Sequence, residues 1–181
     1  MANRNTQGFG LIAAGALGQT PATSGQGKYK IDAGYGTTIF HGGAVASAAG
    51  YIIEGQGTDT PILGVLNGIF YNAASTLKPT FANHYVAVTP ANSEDIDAFV
   101  FDNPQQQYVV ATDDAVAQAG YLETYDMNVS AGSTTTGQSS ATLDIADTSA
   151  DAASWRLLRS AEDPENDENA AFRSVVVVAN L

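Results

Sequence analysis

Two histidines, two short runs of carboxylates and a few glycine-flanked turns are all that this 181-residue sequence offers for chemistry. With no cysteine, thiolate nucleophiles, disulfides and cysteine-ligated metal centres are excluded, and two imidazoles cannot build a multi-histidine site. His41 follows Phe40 and precedes Gly42-Gly43, as a turn residue would. His84 sits among aromatics in Lys78-Pro79-Thr80-Phe81-Ala82-Asn83-His84-Tyr85, the setting of a packed, hydrogen-bonded imidazole rather than a general base. Gly34-Tyr35-Gly36 with His41-Gly42-Gly43 imitates a phosphate cradle but lacks the Lys-Ser/Thr ending and the helix that must follow it. The carboxylates cluster in Glu94-Asp95-x-Asp97 and in Glu162-Asp163-Pro164-Glu165-Asn166-Asp167-Glu168. A calcium loop alternates its oxygen ligands around a glycine bend, which neither run does. Both therefore read as solvated, self-repelling loops, with weak cation binding by 162–168 left open. A glycosidase needs two carboxylates facing across a sugar, and the single Trp provides no row of aromatics to stack one on. The expectation is a protein that is not an enzyme, without catalytic, cofactor-binding or metal-binding residues.

The elements around these residues are short and β-like. Tyr29-Lys30-Ile31, Thr37-Thr38-Ile39-Phe40, Gly50-Tyr51-Ile52-Ile53-Glu54 and Ile62-Leu63-Gly64-Val65-Leu66 are rich in β-branched and aromatic residues. Asn67-Gly68 between the last of these and Ile69-Phe70-Tyr71 predicts a tight hairpin. Further strands are expected over 96–101, 107–110, 125–129 and 155–159. The run 172–178, with four consecutive valines, reads as a central strand buried on both faces. Asp102-Asn103-Pro104 and Asp163-Pro164-Glu165-Asn166 predict turns, and 130–140 an exposed loop. A helical turn or two is expected over 113–119, capped by Thr112 and stopped by Gly120. Strands at this spacing make an all-β protein, a barrel or sandwich in one domain with at most one short helix.

Charge and glycine are unevenly spread. The formal net charge is -12, yet residues 1–31 hold Arg4, Lys28 and Lys30 and no acid. Thirteen of the eighteen glycines lie in the first 57 residues, where they weaken any helix or strand standing alone. Phe9, Leu11 and Ile12 interrupt this stretch with apolar side chains. The chain thus divides into an extended, Gly-rich arm over 1–27 and a β-rich domain over 28–181, with the arm ordering on another protein subunit. Acidity argues against nucleic acid as a partner. No apolar run reaches the length of a membrane span or a signal-peptide core, so the chain reads as soluble and unprocessed.

Leu63-Gly64-Val65-Leu66-Asn67-Gly68-Ile69-Phe70-Tyr71, then Lys78 to Tyr85, then Ala98-Phe99-Val100-Phe101-Asp102-Asn103-Pro104, resemble in content and order a recurrent block of tailed-bacteriophage structural proteins. Gly132-Ser133-Thr134-Thr135-Thr136-Gly137-Gln138-Ser139, Trp155-Arg156-Leu157-Leu158-Arg159 and Pro164-Glu165-Asn166 continue the likeness, as does Thr20-Pro21-Ala22-Thr23-Ser24-Gly25 before Tyr29. The resemblance implies a capsid decoration, or cement, protein on the outer surface of the virion. Its partner would be the major capsid protein, and it would itself be a homotrimer, with a dimer as the alternative. On that reading Arg4, Phe9, Leu11, Ile12, Lys28 and Lys30 touch the shell, while Phe70, Tyr71, Phe81, His84 and Tyr85 form core or protomer interface. Removing 1–27 would leave a folded module that no longer coats particles. The alternative function is a virion spike, fibre or receptor-binding component.

Overall fold

The computed structural model describes residues 3, 5–19, 25–55, 61–146, 153–167 and 169–180. Among these residues twelve strands run in chain order: β1 (Ile12–Ala16), β2 (Gly27–Ile31), β3 (Ala44–Ala48), β4 (Tyr51–Glu54), β5 (Ile62–Asn72), β6 (Pro79–Ala82), β7 (Ile96–Phe101), β8 (Gln106–Ala111), β9 (Thr124–Asn128), β10 (Thr142–Asp144), β11 (Trp155–Ser160) and β12 (Ser174–Ala179). They form two antiparallel sheets. The first has the order β1-β8-β12-β11-β9-β10 and the second β2-β7-β5-β3-β4, with β6 on the far half of the long β5. The all-β expectation is met; the helical content among the described residues is three 3-10 turns, at Leu17–Gln19, Ala91–Ser93 and Gln118–Gly120.

The period-two pattern explains two cores. Tyr108, Val110, Val175, Val177, Trp155, Leu157 and Tyr125 point from the first sheet toward Ala44, Ile62 and Val65 of the second. The neighbouring residues Val45 and Leu66 project from the opposite face of the second sheet and, with Ile31, Ile52, Ile96, Ala98 and Val100, build the other core. Ile39 and Tyr85 cover it from the connecting loops, and β2 lies against β4, so this sheet curls partly closed around its own apolar face. The valine-rich β12 lies between β8 and β11 with both faces buried, as its composition demands. Tyr108 joins the sheets: its ring meets Trp155 edge-on at 5.6 Å, and its hydroxyl donates to Phe101 O at 3.0 Å. Burial and the nearby Asp102 carboxylate push the Tyr108 phenol well above its ordinary pKa.

Four expectations are corrected. Asn67-Gly68 is not a hairpin turn, since neither residue has the positive φ that a type I′ turn needs. β5 runs straight through it, and Asn67 is the extra residue of a bulge between the pairs Leu66–Val100 and Gly68–Phe99. The reversal comes at residues 73–78, where Leu77 adopts φ 55°. Residues 37–40 contribute one bridge, Ile39 to Tyr85, instead of a strand. Residues 113–117 are not helical, because tertiary partners take the local polar groups. The Asp113 carboxylate accepts from Ile145 N, the buried Arg173 donates to Val116 O, and the Tyr125 hydroxyl donates to Gly120 O.

The fourth correction concerns the N-terminal leader. Its described residues order on the body of the same chain. β1 pairs with β8 as an edge strand of the first sheet. Leu11 is 2% exposed inside the inter-sheet core, and the Leu11 and Gly10 amides donate to Gly42 O and Ala141 O. Gly10 adopts φ +72°, and a Cβ there would stand 2.7 Å from Gly42 O, so the crossing requires glycine. Further along, the Asn3 amide donates to Asp167 O, Ala170 O and Ala171 O, while its carbonyl accepts from Asp167 N. The leader binds because it supplies a missing edge strand and a core leucine, which composition does not reveal.

Candidate functional site

Among the described residues, an exposed aromatic face lies on the second sheet. Register sets its pattern. Phe81 pairs with Phe70, Phe70 with Asp97 and Asp97 with Lys30, so one row of side chains crosses β6, β5, β7 and β2. The next row holds Gly68, Phe99 and Lys28. Gly68 leaves a gap that Phe81 fills: a Cβ at Gly68 would stand 3.4 Å from the Phe81 ring. Phe81 stacks on Phe99 with centroids 5.5 Å apart and tilts against Phe70 at 6.3 Å. Phe81 nevertheless remains 68% exposed, an apolar platform open to water.

Beside the platform, an open cleft of about 300 Å³ is lined by Phe70, Tyr71, Asn72, Pro90, Lys30, Glu94, Asp95 and Asp97. Asp97 is its electrostatic anchor, with Lys28 Nζ at 2.7 Å and Lys30 Nζ at 2.6 Å. Partial burial raises the Asp97 pKa, but hydrogen bonds from the two ammonium groups outweigh it and hold the carboxyl below its ordinary 3.8. The same contact raises Lys30. Because the folded pKa of Asp97 is depressed, its contribution is present above the unfolded value and is lost as pH falls through the folded one. Asp97→Asn should therefore cost about 1 kcal/mol near neutrality, given the exposed lysines. It should also flatten the stability decline below about pH 4, as acid titration of the denaturant midpoint would show.

The structure disperses the residues expected at the shell. Arg4 lies outside the described residues, as do Thr20, Pro21, Ala22, Thr23, Ser24 and Glu168. Leu11 is sequestered in the core and cannot meet a partner, which corrects its assignment. Phe9 is half-buried, its carbonyl accepting from Gln138 Nε2 at 2.6 Å. Ile12 is half exposed, on the first sheet, whereas Lys28 and Lys30 belong to the aromatic face of the second. The five residues expected as interface or core also divide. Tyr85 is fully buried, donating to Tyr35 O. Tyr71 packs beside the second core, and His84 stacks on Phe40. Phe70 and Phe81 belong to the exposed aromatic platform, and Tyr71 lines the cleft beside it.

His41 and His84 serve local geometry: His41 Nδ1 lies 3.0 Å from Asn67 O, at the bulge, and His84 Nδ1 lies 2.8 Å from Asn83 Oδ1. The acidic loop is built around asparagines rather than left to self-repulsion. Asn166 donates to Ser174 O and accepts from Ser174 N, and Asn3 anchors Asp167. Among the described residues no three His, Cys, Asp or Glu side chains gather to hold a metal ion, and no helix is long and apolar enough to cross a membrane. Sequence reasoning missed Phe99, although the alternation Asp97-x-Phe99 opposite Lys28-x-Lys30 places all four on one face. No family model, curated protein or solved structure matches this chain.

Proposed function

We propose that this chain is a non-enzymatic capsid decoration protein, seated on the outside of a tailed-phage shell and bound to the major capsid protein across capsomer boundaries. One observation carries the reading. The three blocks that carry the resemblance, residues 63–71, 78–85 and 98–104, fall on successive strands and meet in one sheet, with β5 pairing to both β6 and β7. Each contributes one ring to the exposed platform: Phe70, Phe81 and Phe99. A two-sheet body with an exposed aromatic face suits attachment to another protein, and aromatic anchors dominate such contacts. Binding the assembled shell alone stabilises it by linkage, and a trimer adds avidity. The attachment surface moves from the leader, which the first sheet holds, to this face.

Imaging purified particles by electron microscopy tests the proposal. The expected result is density for this chain in many copies on the outer shell, with the β5–β6–β7 face toward the capsid. Density confined to a tail or fibre would replace the proposal with the spike reading. Absence from particles altogether would remove both.

A further inference from the structure

The cleft next to the platform carries charge as well as shape. Phe70 belongs to both, so the apolar platform and the cleft form one continuous surface. Lys28 and Lys30 converge on the single carboxylate of Asp97. Glu94 is exposed and makes no ion pair among the described residues, and Asp95 accepts from the Tyr51 hydroxyl at 3.2 Å. Three carboxylates against two ammonium groups leave the surface negative within a chain of charge -12. Such a field repels phosphate-bearing polymers and anionic lipid, and favours a cation held next to an apolar group.

We infer that this surface receives a protein segment in which a Lys or Arg side chain neighbours an aromatic or aliphatic one. The cation sits at Glu94 and Asp95, within reach of the Phe70 ring, and the apolar side chain lies on Phe81 and Phe99. The inference rests on the reading above in taking the partner to be a protein, and it names that partner's chemistry.

The test titrates the isotope-labelled full chain with two defined peptides, acetyl-Leu-Lys-Phe-Lys-amide and acetyl-Leu-Glu-Phe-Glu-amide, following backbone amide shifts. The basic peptide should perturb residues 81, 95 and 99 and bind roughly fivefold more weakly at high salt. Phe81→Ser and Glu94→Lys should each weaken it by roughly fivefold or more while leaving the melting temperature nearly unchanged, because both side chains are exposed. Equal response to the acidic peptide, perturbation elsewhere, or no response at millimolar peptide overturns the inference. Concentration-dependent broadening of the same amides without peptide does so too, since a second copy would then be the occupant. The two proposals fail separately. Particles coated equally well by Phe81→Ser and Glu94→Lys reject the surface and keep the capsid reading. Peptide binding at this face by a chain missing from particles does the reverse.

Discussion

Deletion of residues 1–16 should remove most of the protein's stability. The deletion takes Leu11 out of the inter-sheet core, where loss of a buried leucine alone costs about 2–5 kcal/mol. It also removes the β1 ladder and the Asn3 hydrogen bonds to Asp167, Ala170 and Ala171. Domains have only about 5–15 kcal/mol in total, so the truncated chain should melt far lower and aggregate through the bared edge of β8. This outcome is the opposite of the sequence-based expectation that removing 1–27 leaves a folded module. A paired measurement isolates the cause. Leu11→Ala should cost about 3 kcal/mol and Ile12→Ala under about 1 kcal/mol, because the two neighbours face opposite sides. Equal, small losses for both would show that the leader is not seated on its own body in solution.

Trp155→Ala should be nearly as damaging. The indole is fully buried among residues of both sheets and meets Tyr108 edge-on. Truncating it should cost about 3–5 kcal/mol for volume, with the aromatic pair adding about 1 kcal/mol. Trp155→Phe should cost much less, since its ring fills part of the space and the indole N–H finds no protein acceptor among the described residues. Denaturant midpoints at constant slope separate the two outcomes. Near-equal losses would mean that the site tolerates no repacking at all.

What was readable in the sequence was the local alternation. In β7 the order Ile96-Asp97-Ala98-Phe99-Val100-Phe101 alternates buried with half-buried positions through all six residues, and that period needs no knowledge of neighbours. The valines of β12 announced a strand covered on both sides for the same reason. Unreadable were the choices made between distant segments. Leu11 looks like any isolated leucine in a glycine-rich stretch until Tyr108 and Val110, about a hundred residues later, provide its pocket. Asn67-Gly68 has hairpin chemistry, but pairing of Leu66 and Gly68 with β7 carries the strand through it as a bulge. Residues 113–117 have a capping pattern, but Arg173 and Tyr125 claim the carbonyls of Val116 and Gly120. The platform was half visible: Phe70 and Phe81 stood out by type, while Phe99 joined them only through register.

The strand order has a consequence during translation. Strands β2 to β7, residues 27–101, pair only with one another, so a nascent chain little longer than 100 residues already holds one complete sheet. β1, made earlier, must wait for β8, and β8 gains its other neighbour when residues 174–179 leave the ribosome. Synthesis at about 5–20 residues per second leaves this leader unpaired for several seconds. Late closure of the first sheet, and not formation of the second, should therefore set the refolding rate. Crowded polysomes are where a leader from one chain could capture the bare β8 of another.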